Sequence, residues 1–200
     1  MSNAAVNQAG QVPGPSVERV RVPLLLELLA WDGRRHRRVW ADLGGAQAGL
    51  IARLTGTPSR LIIADLPAAL RDDTEQWHLP DGILNASFWS EPVDCFLCWD
   101  LLNYMRPDQL GELAECVARL GGSGCRVHAL IQYSGKTMAE TPGRYSLDED
   151  LQLSVSDPDA ARTQTPRYSP KALEKAMPEL RVERTMLLNN GMQEFVFSLR

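Results

Sequence analysis

The sequence has no long hydrophobic run and few cysteines, and each absence excludes a class of protein. No apolar run approaches the ~18 to 20 residues that a membrane-spanning helix needs. The first residues lack the charged and then apolar layout of a secretory signal. Four cysteines in 200 residues are too few for a disulfide framework. We therefore expect a cytoplasmic protein that does not enter the membrane.

Positive charge is not in excess either. The formal net charge is −4, so no basic field favours a nucleic acid or an anionic membrane as a partner. The one basic cluster, residues 34–38, directly precedes an apolar run and is typical of a solvated turn. The composition therefore argues against nucleic-acid binding.

Several patterns of catalytic residues are missing. The chain contains no phosphate-binding P-loop, no Ser/His/Asp set and no metal-ligand spacing. Cys95 and Cys98 have C-x-x-C spacing, but their apolar run predicts a strand, where residues three apart point to opposite faces. We interpret both as buried thiols. His128, in the middle of another apolar run, is interpreted as a structural histidine.

The residues that are present indicate one globular domain. Hydrophobic residues make up 44% of the chain and charged residues 23%, which is ordinary for a folded protein. Two hundred residues suit a single domain with a sizeable core. Residues 1–15 are rich in Asn, Gln, Ala, Gly and Pro and predict a disordered tail. The domain is therefore assigned to residues 16–200.

Strands and helices alternate along most of this domain. The alternation, closed by a hairpin at Asn190-Gly191, predicts a mostly parallel sheet with helices on both faces and one antiparallel strand. Segment 134–166 predicts long loops with one short strand at 151–155. Predicted strands are 39–41, 61–64, 82–88, 93–98, 126–132, 181–188 and 193–199. Predicted helices are 16–20, 23 to the Asp32-Gly33 turn, 46–54, 107–120 and 171–177.

A glycine-rich turn at residues 42–49 is the central feature. Asp42 ends an apolar strand and is followed by Gly44 and Gly45, and small residues let backbone N–H groups approach a ligand closely. The next predicted strand ends in Asp65. Right-handed crossovers bring these turns and the turn at 98–103 to one edge of the sheet. Ligands of open α/β sheets bind in that crevice.

The order and spacing of these features resemble the class I S-adenosylmethionine-dependent methyltransferases, from about residue 16 to the C-terminus. The matching motifs are the acid and glycine-rich turn at 42–49, Asp65, the apolar motif 93–104, the turn at 120–125 and the final hairpin. The resemblance implies a Rossmann-like, doubly wound, mostly parallel seven-stranded sheet with an antiparallel C-terminal hairpin strand. It also implies S-adenosylmethionine as the cofactor.

The resemblance further implies which residues hold the cofactor. In that family the glycine-rich turn lies against the methionine part, and the acid after the second strand, here Asp65, accepts hydrogen bonds from the ribose hydroxyls. An acid often follows the third strand, but residues 82–90 contain none, and Asn85 or Ser87 would replace it. The implied cofactor-binding residues are Asp42, Gly44, Gly45, Ala46, Asp65, Leu66, Asn85, Cys98 and Trp99.

Some positions leave alternatives open. Ala46 and Ala48 stand where the family has glycines, and their methyl groups would either crowd the cofactor or be tolerated at negative φ. Trp99 would pack on the adenine or fill the sheet edge. The resemblance implies that Asp100 and Tyr104 contact the methyl acceptor. The alternatives are that Asp100 caps the following turn and that Tyr104 only packs.

We therefore hypothesise an S-adenosylmethionine-dependent methyltransferase whose acceptor is a small molecule or a protein. Segment 134–166 would cover the pocket as a lid. A first alternative, motivated by Ala46 and Ala48, is a methyltransferase-like protein that has lost catalysis and binds or regulates a partner. A second is an NAD(P)-dependent oxidoreductase, against which the acid-x-Gly turn and the hairpin argue. A homodimer and a complex with a partner protein both stay open.

Overall fold

The chain folds around one central β-sheet, in a computed structural model that describes residues 18–30, 37–67, 90–156 and 161–200. The strands are β1 (Glu18–Arg21), β2 (Arg38–Asp42), β3 (Ser59–Ile63), β4 (Val93–Leu97), β5 (Gly121–Gln132), β6 (Thr137–Ala139), β7 (Arg144–Leu147), β8 (Gln152–Ser156), β9 (Arg162–Gln164), β10 (Leu180–Leu187) and β11 (Met192–Leu199). The helices are α1 (Pro23–Ala30), α2 (Ala48–Thr55), α3 (Pro107–Leu120) and α4 (Pro170–Ala176), and a 3-10 helix spans Leu101–Tyr104.

Within the described ranges, the central sheet has six strands in the order β10-β11-β5-β4-β2-β3. The pairs β3–β2, β2–β4 and β4–β5 are parallel, while β11 is antiparallel to both of its neighbours. The predicted α/β class, the single reversed strand and the C-terminal hairpin are confirmed. The sheet described is mixed and six-stranded rather than seven-stranded. The predicted strand at 82–88 and the predicted tail at 1–15 lie outside the described residues.

Two core clusters cover the two faces of this sheet because side chains alternate along its strands. Ala41 and Phe96 point into the cluster formed with α3 and α4. Trp40 and Leu97 point into the cluster formed with α1, α2 and β7. Helix α3 has the predicted bounds, with Pro in its first turn and its apolar residues buried at helical spacing.

Two predictions of local structure are wrong. Residues 18–21 form strand β1 instead of part of a helix, because β1 pairs with β8 more than a hundred residues along the chain. The segment 134–166, predicted as loops with one strand, contains β6 to β9. The predicted strand there is β8, and it forms a three-stranded antiparallel sheet with β1 and β7. Short strands carry too little periodic signal to reveal partners so distant in sequence.

The small sheet of β1, β8 and β7 lies against the beginning of α2. A Cβ atom added to Gly49 would stand 1.7 Å from the carbonyl oxygen of Leu147 on β7. Gly49 is therefore needed for close packing between α2 and the small sheet. Since α2 follows the glycine-rich turn directly, the small sheet is held next to that turn.

A buried carboxylate joins α1 to the central sheet. Glu194 on β11 accepts hydrogen bonds from the backbone N–H groups of Leu24 (3.0 Å) and Leu25 (2.7 Å), in the first turn of α1. Its Oε1 also lies 2.9 Å from Nε2 of His128 on β5, and both side chains are fully buried. The first N–H groups of a helix have no partner within the helix, and an acid there also complements the helix dipole. His128 is thus structural, as predicted.

Replacing Glu194 should destabilise the fold strongly. Glu194→Ala leaves two helix N–H groups and His128 buried without their acceptor, so we expect the free energy of unfolding to fall by about 3 to 5 kcal/mol. Urea denaturation measures the difference. The control is Glu183→Ala, which removes the partner of Arg126 in a partly exposed ion pair and should cost less than about 1 kcal/mol. Equal losses in the two variants would contradict the assigned role of Glu194.

Candidate functional site

The glycine-rich turn is shaped by the carboxylate of Asp42, which lies at the end of β2 and is fully buried. Its Oδ1 accepts two hydrogen bonds, from the backbone N–H of Gly44 at 3.0 Å and from Nε1–H of Trp99 at 2.7 Å. Its Oδ2 has no hydrogen-bond partner among the residues that the structure describes. The acid therefore fixes the turn with one oxygen and keeps a second, buried acceptor unused.

Burial makes the charge of Asp42 costly. Desolvation raises the pKa of Asp42 to about 6, and the negative charge of Asp65 adds to the rise. The hydrogen bonds from Trp99 and Gly44 act in the opposite direction by stabilising the carboxylate, without cancelling the effect of burial. Such a raised pKa in an acid at a sheet edge is typical of a functional site.

Trp99 covers the turn. Its indole Cδ1 lies 2.2 Å from the position that a Cβ atom would take on Gly44, so only glycine fits there. On its other side the indole stacks on the ring of Tyr145 on β7, with ring centroids 5.5 Å apart and ring planes inclined by 12°. Trp99 also has a φ of 49°, a left-handed conformation that is uncommon for a bulky residue. The indole thus packs between the glycine-rich turn and the small sheet.

The two acids predicted at the sheet edge come together. Gly45 has a φ of 101°, and a Cβ atom added to it would stand 3.5 Å from Cγ of Asp65. The adjacent parallel strands β2 and β3 bring the acids together, because β2 ends in Asp42 and Asp65 follows two residues after the end of β3. Asp42, Gly45 and Asp65 therefore form a compact acidic corner beside Trp99.

The remaining predicted cofactor residues have different surroundings. Ala46 is exposed, and so is Ala48, which starts α2 rather than lying within it as predicted. The side chains of Leu66 and Cys98 are fully buried in the core cluster on the α3 side. Cys98 is a free thiol, as is Cys95, and burial raises both pKa values. Asn85 lies outside the described residues.

Asp100 and Tyr104 hold the segment before β7. Asp100 Oδ2 accepts a hydrogen bond from the backbone N–H of Gly143 at 2.9 Å, and the Tyr104 hydroxyl donates to the carbonyl oxygen of Thr141 at 2.8 Å. The alternative role of Asp100 as a side-chain cap of the 3-10 helix is wrong, since it makes no capping hydrogen bond. The two predicted acceptor residues therefore position part of the predicted lid.

A cavity of about 330 Å³ lies between the 3-10 helix and the small sheet. Its lining is mixed in polarity and includes Asp100, Asn103, Tyr104, Tyr145, Arg162 and Met192. Asn103 supports the wall, because its amide donates to the carbonyl oxygens of Asp100 and Leu130. No sequence pattern predicts a role for Asn103 or Tyr145. The one sequence signal at Tyr145 is the alternation of polar and apolar residues over 144–147, which matches the burial pattern of β7.

Other kinds of site find no support in the part of the chain that is described. There, no group of three or more His, Cys, Asp or Glu side chains is arranged to hold a metal ion. No described helix is long and apolar enough to cross a membrane. The acidic corner and the neighbouring cavity are therefore the candidate site.

The raised pKa of Asp42 predicts a pH-dependent stability. A folded-state pKa above the unfolded value means that the folded protein binds the proton more tightly, so stability falls as the pH rises from about 4 to above 6. Asp42→Asn removes this charge. We compare the free energy of unfolding of Asp42→Asn with that of the unsubstituted protein at each pH. We expect the difference to be about 3 kcal/mol more favourable to Asp42→Asn at pH 7.5 than at pH 4.

Urea denaturation at a series of pH values measures this difference, with Asp108→Asn as the control. Asp108 is exposed, and the hydrogen bond from Arg106 lowers the pKa of Asp108, a shift opposite in direction to that of Asp42. Its replacement should leave the pH dependence unchanged. A constant difference between Asp42→Asn and the unsubstituted protein across this range would contradict the prediction.

The contact between Asp100 and Gly143 predicts a local change in protection. In Asp100→Ala the Gly143 amide loses its acceptor, so we expect its hydrogen exchange to become about tenfold faster. Hydrogen-exchange NMR on the folded protein measures the rate. Asp150→Ala, an exposed acid between β7 and β8, is the control and should leave the Gly143 rate unchanged. An unaltered rate in Asp100→Ala would show that this hydrogen bond does not hold the segment.

Comparisons with known proteins agree with this architecture. The PH0226 protein from Pyrococcus horikoshii OT3 shares 14% of its residues, with 89% of this chain and 88% of that chain covered and a TM-score of 0.53. An S-adenosylmethionine-dependent methyltransferase from Clostridium acetobutylicum ATCC 824 shares 12%, with 88% and 89% covered and a TM-score of 0.52. No protein-family model and no curated protein sequence matches the chain. The chain thus shares its α/β fold, built on a mixed central sheet, with a methyltransferase.

Proposed function

We propose that the protein is an S-adenosylmethionine-dependent methyltransferase. The observation that carries the proposal is the acidic corner at the carboxyl ends of β2 and β3, where Asp42 fixes a glycine turn and Asp65 faces Gly45. In the methyltransferase family that the sequence resembles, the glycine-rich turn lies against the methionine part of the cofactor, and the acid after the second strand binds the ribose hydroxyls. The shared fold supports the proposal without establishing it, since fold alone does not imply function.

The residues at the corner fit such a cofactor. Asp42 Oδ2 is a buried acceptor without a partner, and a donor such as the ammonium group of the methionine end would satisfy it. Asp65 would accept hydrogen bonds from the ribose hydroxyls. Gly45 supplies a left-handed backbone beside both acids that a larger residue would strain. Gly44 is covered by the indole of Trp99.

The bound cofactor supplies a methyl group activated by a sulfonium. The protein's contribution would be to position the acceptor, because correct placement alone accounts for much of the rate in such transfers. Asp100 is the carboxylate that lines the cavity, and it would orient a cationic or hydroxyl-bearing acceptor and accept a proton where the nucleophile carries one. Tyr104 would act through the 141–143 backbone that it holds.

A small molecule is the acceptor that this cavity suits. Its volume of about 330 Å³ falls within the range of small-ligand sites, and a few polar groups among apolar walls are typical of such sites. The inactive, partner-binding alternative and the oxidoreductase alternative gain no support from the fold comparisons. We therefore propose methyl transfer to a small polar molecule.

Calorimetric titration with S-adenosylhomocysteine tests the cofactor assignment. We expect binding, and we expect Asp65→Ala to weaken it by about tenfold or more, because hydrogen bonds to a carboxylate are among the stronger ones. Glu115→Ala, an exposed acid on α3 at the other face of the sheet, should bind normally. Absence of binding at millimolar concentration, together with no effect of Asp65→Ala, would refute the proposal.

A further inference from the structure

Two aromatic rings lie in series between the glycine turn and the cavity. The Trp99 indole contacts Gly44 and donates to Asp42 on one side, and it stacks on Tyr145 on the other. Tyr145 in turn lines the cavity that also contains Asp100. A chain of side-chain contacts from Asp42 through Trp99 to Tyr145 therefore connects the acidic corner with the cavity.

This arrangement conflicts with direct transfer. A methyl donor and its acceptor must approach to about 3 to 3.5 Å in a reactive complex. The centroids of the two stacked rings are already 5.5 Å apart, so groups on opposite sides of the pair cannot meet. With the methyl donor on the Asp42 side of the pair and the acceptor in the cavity, the two rings would have to separate before the proposed transfer.

The contacts of Trp99 indicate which part moves. Its backbone is held, because its carbonyl oxygen accepts a 2.6 Å hydrogen bond from the N–H of Leu130 on β5. Its side chain is held by a single hydrogen bond, to Asp42 Oδ1. That oxygen keeps the hydrogen bond from Gly44 when the indole leaves. A ligand with donors for both oxygens of Asp42 would replace the indole at Oδ1 and also satisfy Oδ2.

We propose that Trp99 is a gate: its indole occupies the donor position on Asp42 and the face of Gly44, and cofactor binding displaces it and opens the passage to the cavity at Tyr145. The proposal rests on the proposed function. Displacement draws on part of the cofactor's binding free energy, so the closed gate lowers the apparent affinity. By reciprocity, a ligand in the cavity that favours the open gate strengthens cofactor binding.

The test is the affinity for S-adenosylhomocysteine, measured by calorimetry, in the unsubstituted protein, Trp99→Phe and Trp40→Phe. Phenylalanine keeps a ring against Tyr145 but cannot donate to Asp42, so the gate opens more easily and binding should become about tenfold tighter. Trp40→Phe is the matched control. Trp40 is equally buried in the same core cluster, its indole nitrogen has no hydrogen-bond partner, and its replacement should leave the affinity unchanged.

The indole N–H signals in NMR spectra give a second readout. The signal missing from Trp99→Phe belongs to Trp99, and we expect it to shift and to lose protection from hydrogen exchange when S-adenosylhomocysteine is added. Weaker or unchanged binding by Trp99→Phe, with the Trp99 signal unmoved in the unsubstituted protein, would overturn the gate and leave the cofactor assignment intact. Binding by none of the three proteins would refute the proposed function, and the gate with it.

Discussion

The buried carboxylate of Asp42 is the constraint on which the site depends. It lies where β2 ends, and its Oδ1 binds both the backbone of the glycine turn and the indole of Trp99. An ionised group in such a position is costly unless donors surround it, and here the carboxylate has donors on one oxygen only. The shape of the turn, the position of the Trp99 indole and the unused acceptor Oδ2 thus all follow from the placement of Asp42 at the sheet edge.

The same acid distinguishes the corner from the rest of the core and supports its assignment as the candidate site. A residue selected only for packing at this position would be apolar, because burial without full hydrogen bonding destabilises the fold. The raised pKa of Asp42 and the left-handed φ of Trp99 are two local costs at adjacent positions. Costs of this kind cluster where a protein binds a ligand or performs chemistry.

The sequence predicts the structural elements that depend on a local pattern of residues. It does not predict those that depend on contacts between segments far apart in the chain. The parallel strands, α3 and the hairpin follow from apolar periodicity, Pro and Gly placement and the Asn-Gly turn. The small sheet was missed because β1 and β8 lie far apart in the chain and are short. Gly49 illustrates the limit: it was assigned to a ligand turn, yet the backbone of Leu147 on β7 requires it.

The small sheet makes the glycine-rich turn and the cavity parts of one unit. Through Leu147 it packs on Gly49 at the start of α2, and through Tyr145 it contacts both Trp99 and the cavity. From the opposite wall of the cavity, Asp100 and Tyr104 bind the backbone of residues 141–143, directly before β7. A substitution that remodels the cavity for another acceptor would therefore also alter the contacts of Trp99. In the proposed methyltransferase, acceptor preference and cofactor affinity would therefore change together, because the same side chains contact the turn and the cavity.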